Sequence, residues 1–257
     1  EGIAHVSIFG YGDLTVPFGL DVGDYVYVPD ASPGNIRIYD TDGNLIDTWS
    51  GFAGPRDVAV DDAGFDHVHA KCDPHRYLRQ LQLFHDIIGF KRLGIVYEHT
   101  DVGKTYAALS DVERVANRRG FTLVACEARW SGVPQQVRTR EVIECHKQLA
   151  PHIDALYVTV HAGIDANHMD ELLAPLMAHK IPTWSQRGPQ EVRHGVLLSI
   201  SRKGFEAVGI YHAFIMARIF NGAKPGDLNQ VFEDPRHIAI NLKTAKAIGF
   251  HPPKGLL

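Results

Sequence analysis

Polar side chains follow directly after predicted buried strands in this chain of 257 residues. Glu98, Thr100 and Asp101 come after an apolar run that ends at Tyr97. Thr100 and Asp101 also precede a helix predicted to begin near Gly103. A hydroxyl, a carboxylate and free backbone N–H groups at a helix start favour a small polar ligand, above all an anionic one. The alternative, which the sequence leaves open, is that Thr100 or Asp101 only caps the helix.

Five further residues are candidates for ligand contact. Tyr106 could form an aromatic wall, or it could pack into the core as helix aromatics usually do. His161 and Asp165 follow the third predicted strand, and Ser185 and Gln186 follow the fourth. Loop residues at strand ends bind ligands in many α/β proteins, although polar loop residues are also often simply solvated.

Several catalytic and metal chemistries find no support in the sequence. Gly103-Lys-Thr105 invites comparison with a phosphate-binding loop, but that motif needs a glycine where Glu98 stands. No nucleophile elbow or Ser/His/Asp order stands out, so we expect a protein that is not an enzyme. Four potential zinc ligands lie close together, but their spacing fits no standard site, and we expect no metal and no cofactor. These four are His67, His69, Cys72 and His75.

Composition excludes other classes of protein. The chain is 45% hydrophobic and 22% charged, which is ordinary for a folded domain. Its 26 basic and 30 acidic residues give a net charge of −4, so we expect no nucleic-acid partner. No apolar run is long enough for membrane insertion. The chain begins with Glu and shows no signal peptide, which predicts a mature product or a fragment.

Short predicted strands and turns dominate the first 65 residues. The segment 17–22 resembles 55–60 at an offset of 38 residues, and Asp42-Gly43 predicts a tight hairpin turn between strands 35–39 and 45–49. With Tyr25-Val-Tyr-Val-Pro-Asp30, this pattern over residues 15–64 resembles an NHL repeat of β-propellers. We therefore predict an antiparallel β segment like one propeller blade in a first domain, 1–65.

Strands and helices alternate in the remainder, which we predict to be a second domain, 66–257. This order predicts an α/β fold with a doubly wound parallel sheet, whose ligands bind at the carboxyl ends of the strands. The predicted strands are 92–97, 121–126, 153–160, 181–184 and 195–199, followed by 231–232 and 238–240. The predicted helices are 74–88, 103–119, 135–149, 166–179, 204–220 and 242–248.

The same region resembles the C-terminal lobe of an ABC-transporter substrate-binding protein. The resemblance rests on Lys91-Arg-Leu-Gly-Ile-Val-Tyr97, Ile153-Asp-Ala-Leu-Tyr-Val158, Lys180-Ile-Pro182, Ala223-Lys-Pro225 and Ile240-Asn-Leu-Lys-Thr-Ala-Lys-Ala-Ile-Gly249. It implies the type I periplasmic-binding fold, a family often associated with tryptophan or tyrosine, an ABC permease as partner, and a periplasmic or extracytoplasmic location. Such receptors hold the ligand between two lobes, and here the β segment stands where the first lobe would be.

We therefore expect an extracytoplasmic solute-binding component of an ABC import system. Its ligand would be a small polar molecule, such as an amino acid, bound at the strand-end loops. One alternative is a protein-interaction module built on the propeller-like segment, with a partial receptor lobe. A second alternative is an α/β enzyme that uses His161 or Asp165.

Overall fold

The computed structural model describes residues 21–22, 26–30, 35–40, 44–50, 55–60, 68–201, 206–233 and 237–253. The chain forms two compact units, each built from two segments. The first unit comprises Glu1–Pro74 and Gly204–Pro235, and the second comprises His75–Lys203 and Arg236–Leu257. The predicted boundary near residue 65 lies outside the described residues, so the division into 1–65 and 66–257 stays a prediction.

Antiparallel strands make up the β structure of the first unit. Four of them form one sheet in chain order, and the remaining two pair with each other. The four are β1 (Asp21–Val22), β2 (Val26–Asp30), β3 (Asn35–Tyr39) and β4 (Leu45–Trp49), and the pair is β5 (Pro55–Val60) with β6 (Val68–Cys72). The predicted strands 35–39 and 45–49 are confirmed. Of the segment 17–22, Asp21 and Val22 form β1, and the rest lies outside the described residues, as does the Asp42-Gly43 turn.

Eight α-helices are described, and all but α7 belong to the second unit. They are α1 (Arg76–Ile88), α2 (Asp101–Tyr106), α3 (Leu109–Arg119), α4 (Gln135–Leu149), α5 (Met169–Ala178), α6 (Pro189–Arg193), α7 (Glu206–Phe220) and α8 (Leu242–Ile248). In α1, α3, α4 and α5, apolar residues at helical spacing are buried along one side of each helix.

The second unit is built on a six-stranded, mainly parallel sheet, as the alternating sequence pattern predicts. Its strands are β7 (Arg92–Tyr97), β8 (Thr122–Glu127), β9 (Ala155–Val158), β10 (Thr183–Ser185), β11 (Leu198–Ser201) and β12 (His237–Ile240). They lie in the order β12-β11-β10-β9-β7-β8, and β12 alone runs antiparallel to its neighbour. The carboxyl ends of the five parallel strands therefore meet at one edge of the sheet.

Two apolar layers cover the two faces of this sheet. Ala155 and Tyr157 of β9 pack in one cluster with residues of α1, α3 and α8. Leu156 and Val158, which alternate with them, pack in the other cluster with residues of α4 and α5. Because successive side chains of a strand point to opposite faces, the single apolar run of β9 contributes side chains to both layers.

Three predicted helices differ from the structure. The predicted helix 166–179 starts with a 3-10 turn at Ala166–His168, and α5 begins only at Met169. Helix α1 begins at Arg76 with His75 in the N-cap position, so Asp73-Pro74 precedes the helix instead of starting it. The single helix predicted over 103–119 is two helices, because Ala108 adopts a left-handed conformation with φ of 51°. No glycine or proline marks this break in the sequence. Gly89 and Gly120, which follow the predicted helix ends 88 and 119, cap α1 and α3 with left-handed φ of 72° and 74°.

A disulfide joins Cys126 of β8 to Cys145 of α4, with the two Cα atoms 5.6 Å apart. The odd number of cysteines and their spacing give no sign of this bond in the sequence. The partners lie 19 residues apart in the chain, on a strand and on the helix that covers it. Only the crossing of α4 over β8 brings the two sulfur atoms together.

Candidate functional site

The carboxylate of Glu98 joins the loops that follow β7 and β8. Its Oε1 accepts backbone N–H bonds from Trp130 at 2.7 Å and Ser131 at 2.6 Å. Its Oε2 accepts from the hydroxyls of Ser131 at 2.8 Å and Thr100 at 3.2 Å. Burial raises the pKa of Glu98, but these donors outweigh it and the net pKa is lowered. Glu98 is a buried anion that orders two loops.

Three aromatic rings adjoin one another at this edge of the sheet. The ring centroids of Tyr106 and Trp130 lie 4.6 Å apart, and those of Trp130 and His161 lie 5.6 Å apart. Tyr106 and His161 are buried, whereas Trp130 is half-buried. The partly exposed indole of Trp130 therefore offers an apolar surface beside polar backbone groups, which suits a small ligand with both apolar and polar parts.

His161 ties the loop after β9 to the loop after β8. Its Nδ1 accepts the backbone N–H of Gly163 at 2.9 Å, so its Nε2 donates to the carbonyl oxygen of Ala128, 3.1 Å away. Burial lowers the pKa of His161, which keeps the ring neutral. Both ring nitrogens already have partners within the protein, so His161 positions Trp130 and the two loops.

Gln186 connects the loop after β10 to this hydrogen-bonded network. Its Nε2 donates to the carbonyl oxygen of Tyr106 at 2.7 Å, and its Oε1 accepts the backbone N–H of Val160 at 2.8 Å. Below it, the buried side chain of Gln80 donates to the Gln186 carbonyl oxygen at 3.3 Å and accepts from the Tyr157 hydroxyl at 2.8 Å. Glu98, His161 and Gln186 thus link the loops that follow β7, β8, β9 and β10.

Ser185 makes a separate buried pair with Glu191. The hydroxyl of Ser185 donates to Glu191 Oε2 at 2.6 Å and accepts the backbone N–H of Gly188 at 3.0 Å. Burial raises the pKa of Glu191 against the opposing effects of Ser185 and Arg187. Because the Ser185 side chain is fully buried, it shapes the turn from β10 into α6.

Thr100 and Asp165 act as helix caps, the alternative that the sequence leaves open for Thr100. The Thr100 hydroxyl accepts the backbone N–H of Gly103 at 3.0 Å. The Asp165 carboxylate accepts from the backbone of Asn167 at 2.8 Å and lies 2.9 Å from His168 Nδ1. Of the predicted residues, Asp101 is the carboxylate that stands exposed at this edge.

The position of Gly103 has a steric reason. A Cβ atom added there would lie 2.3 Å from the carbonyl oxygen and 2.8 Å from the Cβ of Glu98. The first turn of α2 therefore fits against Glu98 only when residue 103 is glycine. The glycine that resembles a phosphate-loop residue in the sequence serves this close packing.

Trp130 is the residue of this edge that the sequence analysis misses. The predicted site uses the loops after the first, third and fourth parallel strands and omits the loop after β8. An aromatic side chain four residues beyond a predicted strand is the signal that could have identified it, because every parallel strand ends at the same edge.

The described part of the chain offers neither a metal site nor a membrane-spanning helix. No group of three or more His, Cys, Asp or Glu side chains there could hold a metal ion. Of the four potential zinc ligands, His67 lies outside the described residues, and His69 lies 3.1 Å from the carbonyl oxygen of Asn229. No helix among the described residues combines the length and apolarity needed to cross a membrane.

Solved structures share the fold of this chain at low sequence identity. A conserved domain protein from Vibrio cholerae O1 biovar eltor has a TM-score of 0.52 and 20% identity, over 72% of this chain and 58% of that one. An ABC domain in complex with L-Trp from Streptococcus pneumonia has a TM-score of 0.52 and 20% identity, over 72% of this chain and 59% of that one. A ligand-free, open substrate binding protein with adhesive properties from Clostridium difficile has a TM-score of 0.57 and 22% identity, over 68% of this chain and 56% of that one.

The likeness is one of fold. The chain spans less than two thirds of the length of each of these three structures. No family model matches the chain, and no curated protein matches it. The comparisons support the α/β periplasmic-binding architecture and give no support to the NHL resemblance of residues 15–64, which we do not retain.

Proposed function

We propose that this chain is a solute-binding component of an ABC import system and not an enzyme. The observation that carries the proposal is the hydrogen-bonded network at the carboxyl ends of the parallel strands. In it, Glu98, His161 and Gln186 hold four loops around the ring of Trp130. Groups that are fixed in advance lose little entropy when a ligand binds, which favours recognition of a small molecule. The sharing of fold with a substrate binding protein supports the same role.

The proposed ligand is a small polar molecule with an apolar part, such as an amino acid. The indole face of Trp130 would contact the apolar part, and Tyr106 would support the indole from behind. Asp101 is exposed at the same edge and would attract an ammonium group. Glu98, Thr100, His161, Asp165, Ser185 and Gln186 would act chiefly by holding the loops in place.

An extracytoplasmic location and an ABC permease partner belong to the proposal. The Cys126–Cys145 disulfide supports the location, because such bonds persist in oxidising compartments and are rare in the cytosol. The permease follows from the proposed role. Cross-linking the chain to membranes of its source cells and identifying the captured protein as a permease subunit would support it.

The deciding experiment is a thermal shift screen against the common amino acids and small carboxylates. A ligand that binds the folded state raises the Tm as its concentration exceeds the Kd. At a ligand concentration one hundred times the Kd, the free energy of unfolding increases by about 3 kcal/mol. The wild type and a Leu242→Ala control, altered at an exposed site on α8, should respond alike. If no compound shifts the Tm of the wild type, the proposed function is wrong.

A further inference from the structure

Helix α4 is tethered at three points to the end of β8 and to the loop that follows it, residues 128–134, which we call the β8 loop. Each tether begins three or four residues further along the chain than the one before it, and its partner lies three or four residues nearer the start of α4. The three tethers join Cys126 to Cys145, Arg129 to Glu141, and Val133 to Arg138. The β8 loop and α4 are therefore fastened antiparallel to each other, and α4 sets the position of the loop.

Trp130 lies between the second and third tethers. The backbone N–H groups of Trp130 and Ser131 donate to Glu98 at 2.7 Å and 2.6 Å. The carbonyl oxygen of Ala128 accepts from His161 at 3.1 Å. The indole is thus placed by two sets of contacts, those of the tethers with α4 and those of the hydrogen bonds with the neighbouring strand-end loops. Movement of the β8 loop relative to α4 would displace the ring or break the bonds to Glu98.

Of the three tethers, only the disulfide is covalent. The side chain of Arg129 is 67% exposed, and an exposed ion pair contributes little because water and salt screen it. The bond of 2.9 Å from Arg138 to the Val133 carbonyl oxygen is a single hydrogen bond, which water can replace. Strand β8 is also the last strand of the described sheet and pairs there with β7 alone. The disulfide is therefore the strongest link between the β8 loop and α4.

We propose that the oxidation state of Cys126 and Cys145 controls ligand binding at Trp130, so that the disulfide form binds tightly and the dithiol form binds weakly. This inference rests on the proposed solute-binding function and adds a regulation to the same site. In the dithiol form the β8 loop is less constrained, so Trp130 is in its binding position for a smaller fraction of the time. The apparent Kd rises in inverse proportion to that fraction.

Thiol–disulfide exchange with a dithiol reductant opens the bond. Cys126 is half-buried and Cys145 is 4% exposed, so the Cys126 sulfur is the more open to attack. A thiolate of the reductant bonds to the Cys126 sulfur, and the Cys145 sulfur leaves as a thiolate. The second thiolate of the reductant then displaces the Cys126 sulfur. The two protons of the reductant end on the two cysteines, and the reductant departs as its own cyclic disulfide.

The compartment supplies the control. An oxidising compartment keeps the bond closed, whereas the reducing cytosol keeps both thiols free. A chain still in the cytosol would therefore bind solute weakly, and the same chain would bind tightly once its disulfide has formed. This effect differs from the stabilisation that any disulfide gives, because it changes the affinity at temperatures where both forms are folded.

Titration calorimetry on the full chain, well below the Tm of the reduced form, tests the inference. The probes are the common amino acids and small carboxylates of the thermal shift screen, each titrated singly. For a probe that binds the disulfide form, dithiothreitol should raise the Kd at least about fivefold, and re-oxidation should restore it. The double variant Cys126→Ala, Cys145→Ala should bind as weakly as the reduced wild type, with or without reductant. Cys72→Ala removes the third cysteine and keeps the disulfide, so it should respond as the wild type does.

Amide hydrogen exchange tests the release of the β8 loop without any ligand. The backbone N–H groups of Trp130 and Ser131 should exchange at least about tenfold faster in the dithiol form, because the loop opens more often. The N–H of Leu156, which donates to the Pro182 carbonyl oxygen at 3.0 Å inside the sheet, is the internal control and should not change. If circular dichroism shows that the double alanine variant is unfolded, Cys126→Ser with Cys145→Val replaces it, since valine fills the buried position.

The outcomes separate this inference from the proposed function. Equal Kd values in the two redox states overturn the inference and leave the proposed function standing. Exchange at Trp130 and Ser131 that does not change on reduction also overturns it, because the β8 loop would then be held without the disulfide. If no probe binds even the disulfide form, the inference and the proposed function fail together.

Discussion

Ser131 holds both carboxylate oxygens of Glu98: its backbone N–H donates to Oε1 at 2.6 Å and its hydroxyl donates to Oε2 at 2.8 Å. One residue of the loop after β8 is thereby locked to one residue of the loop after β7. The relationship explains how a buried carboxylate is tolerated at this edge. Every donor that surrounds it would lose its acceptor if the carboxylate were removed.

Removing that carboxylate should destabilise the protein. We expect Glu98→Ala to lower the free energy of unfolding by about 2 to 3 kcal/mol, because it leaves several partly buried donors unsatisfied. Glu98→Gln keeps one oxygen and should cost about 1 kcal/mol. Urea denaturation measures both, with Glu127→Ala as the control, since Glu127 is exposed and its pair with His99 contributes little.

The stabilisation by Glu98 should also depend on pH. Its pKa is lowered from 4.5 in the folded state, so its contribution is present above that pH and is lost as pH falls below it. The acid limb of the unfolding profile should therefore shift in Glu98→Gln. An unchanged limb would show that the network does not hold the ionised form.

Gly103 should not tolerate a side chain. The Cβ of Gly103→Ala would lie 2.3 Å from the Glu98 carbonyl oxygen, and relieving that overlap should cost about 1 to 3 kcal/mol. Gly226→Ala is the matched control, because a Cβ there meets no atom within 4 Å. Equal Tm values for the two variants would mean that α2 can move away from Glu98.

His146 should make the protein sensitive to mild acid. Its Nδ1 lies 2.7 Å from the Leu172 carbonyl oxygen, and its buried Nε2 has no hydrogen-bond partner among the described residues. Burial lowers the pKa of His146 from 6.5 to about 4. The unfolded chain binds this proton first, so stability present above pH 6.5 is lost as pH falls towards 4. Between pH 7.5 and 5 the loss from this group should be about 2 kcal/mol.

A substitution at His146 isolates this effect from the similar one expected of buried His161. Asn supplies an amide donor near the Nδ1 position but does not titrate, so His146→Asn should lose about 2 kcal/mol less between the two pH values than the wild type. His179→Asn, at an exposed position, should behave like the wild type. Parallel pH profiles for all three proteins would contradict the prediction.

The disulfide should stabilise the second unit measurably. Cross-linking cysteines 19 residues apart restricts the unfolded chain by about 3 kcal/mol on a chain-entropy account. We expect reductant to lower the Tm of the wild type, and the double variant Cys126→Ala, Cys145→Ala to start from a lower Tm that reductant does not change. A reductant effect of equal size in the double variant would point to another cause.

Trp130 should matter for binding more than for folding. Any amino acid found to bind should lose at least about tenfold in affinity with Trp130→Ala, while Trp130→Phe should retain most of it, because a ring face remains. Titration calorimetry measures the affinities. If Trp130→Ala binds the ligand with wild-type affinity, the ligand does not contact this ring, although the binding function itself would still stand.

The sequence predicts much of the fold because its signals are local. The run 93–97 is apolar enough to be a buried strand. Gly89 and Gly120 mark helix ends because glycine readily adopts the left-handed conformation. The break at Ala108 escapes prediction because no residue there signals it. The sequence offers helix capping as an alternative role for Thr100. Such a role can be predicted locally, because an N-cap side chain bonds only to the first turn of its own helix.

Local patterns of residues specify the alternation of strands and helices, the parallel sheet and the edge at which its loops meet. Tertiary structure alone decided what the polar residues at that edge do. Glu98, His161 and Gln186 each bond to partners 26 to 80 residues away in the chain. The ring of Tyr106, which Trp130 contacts, lies 24 residues before it. Hydrogen bonds and disulfides over such distances depend on how helices cross strands, which no local pattern of residues specifies.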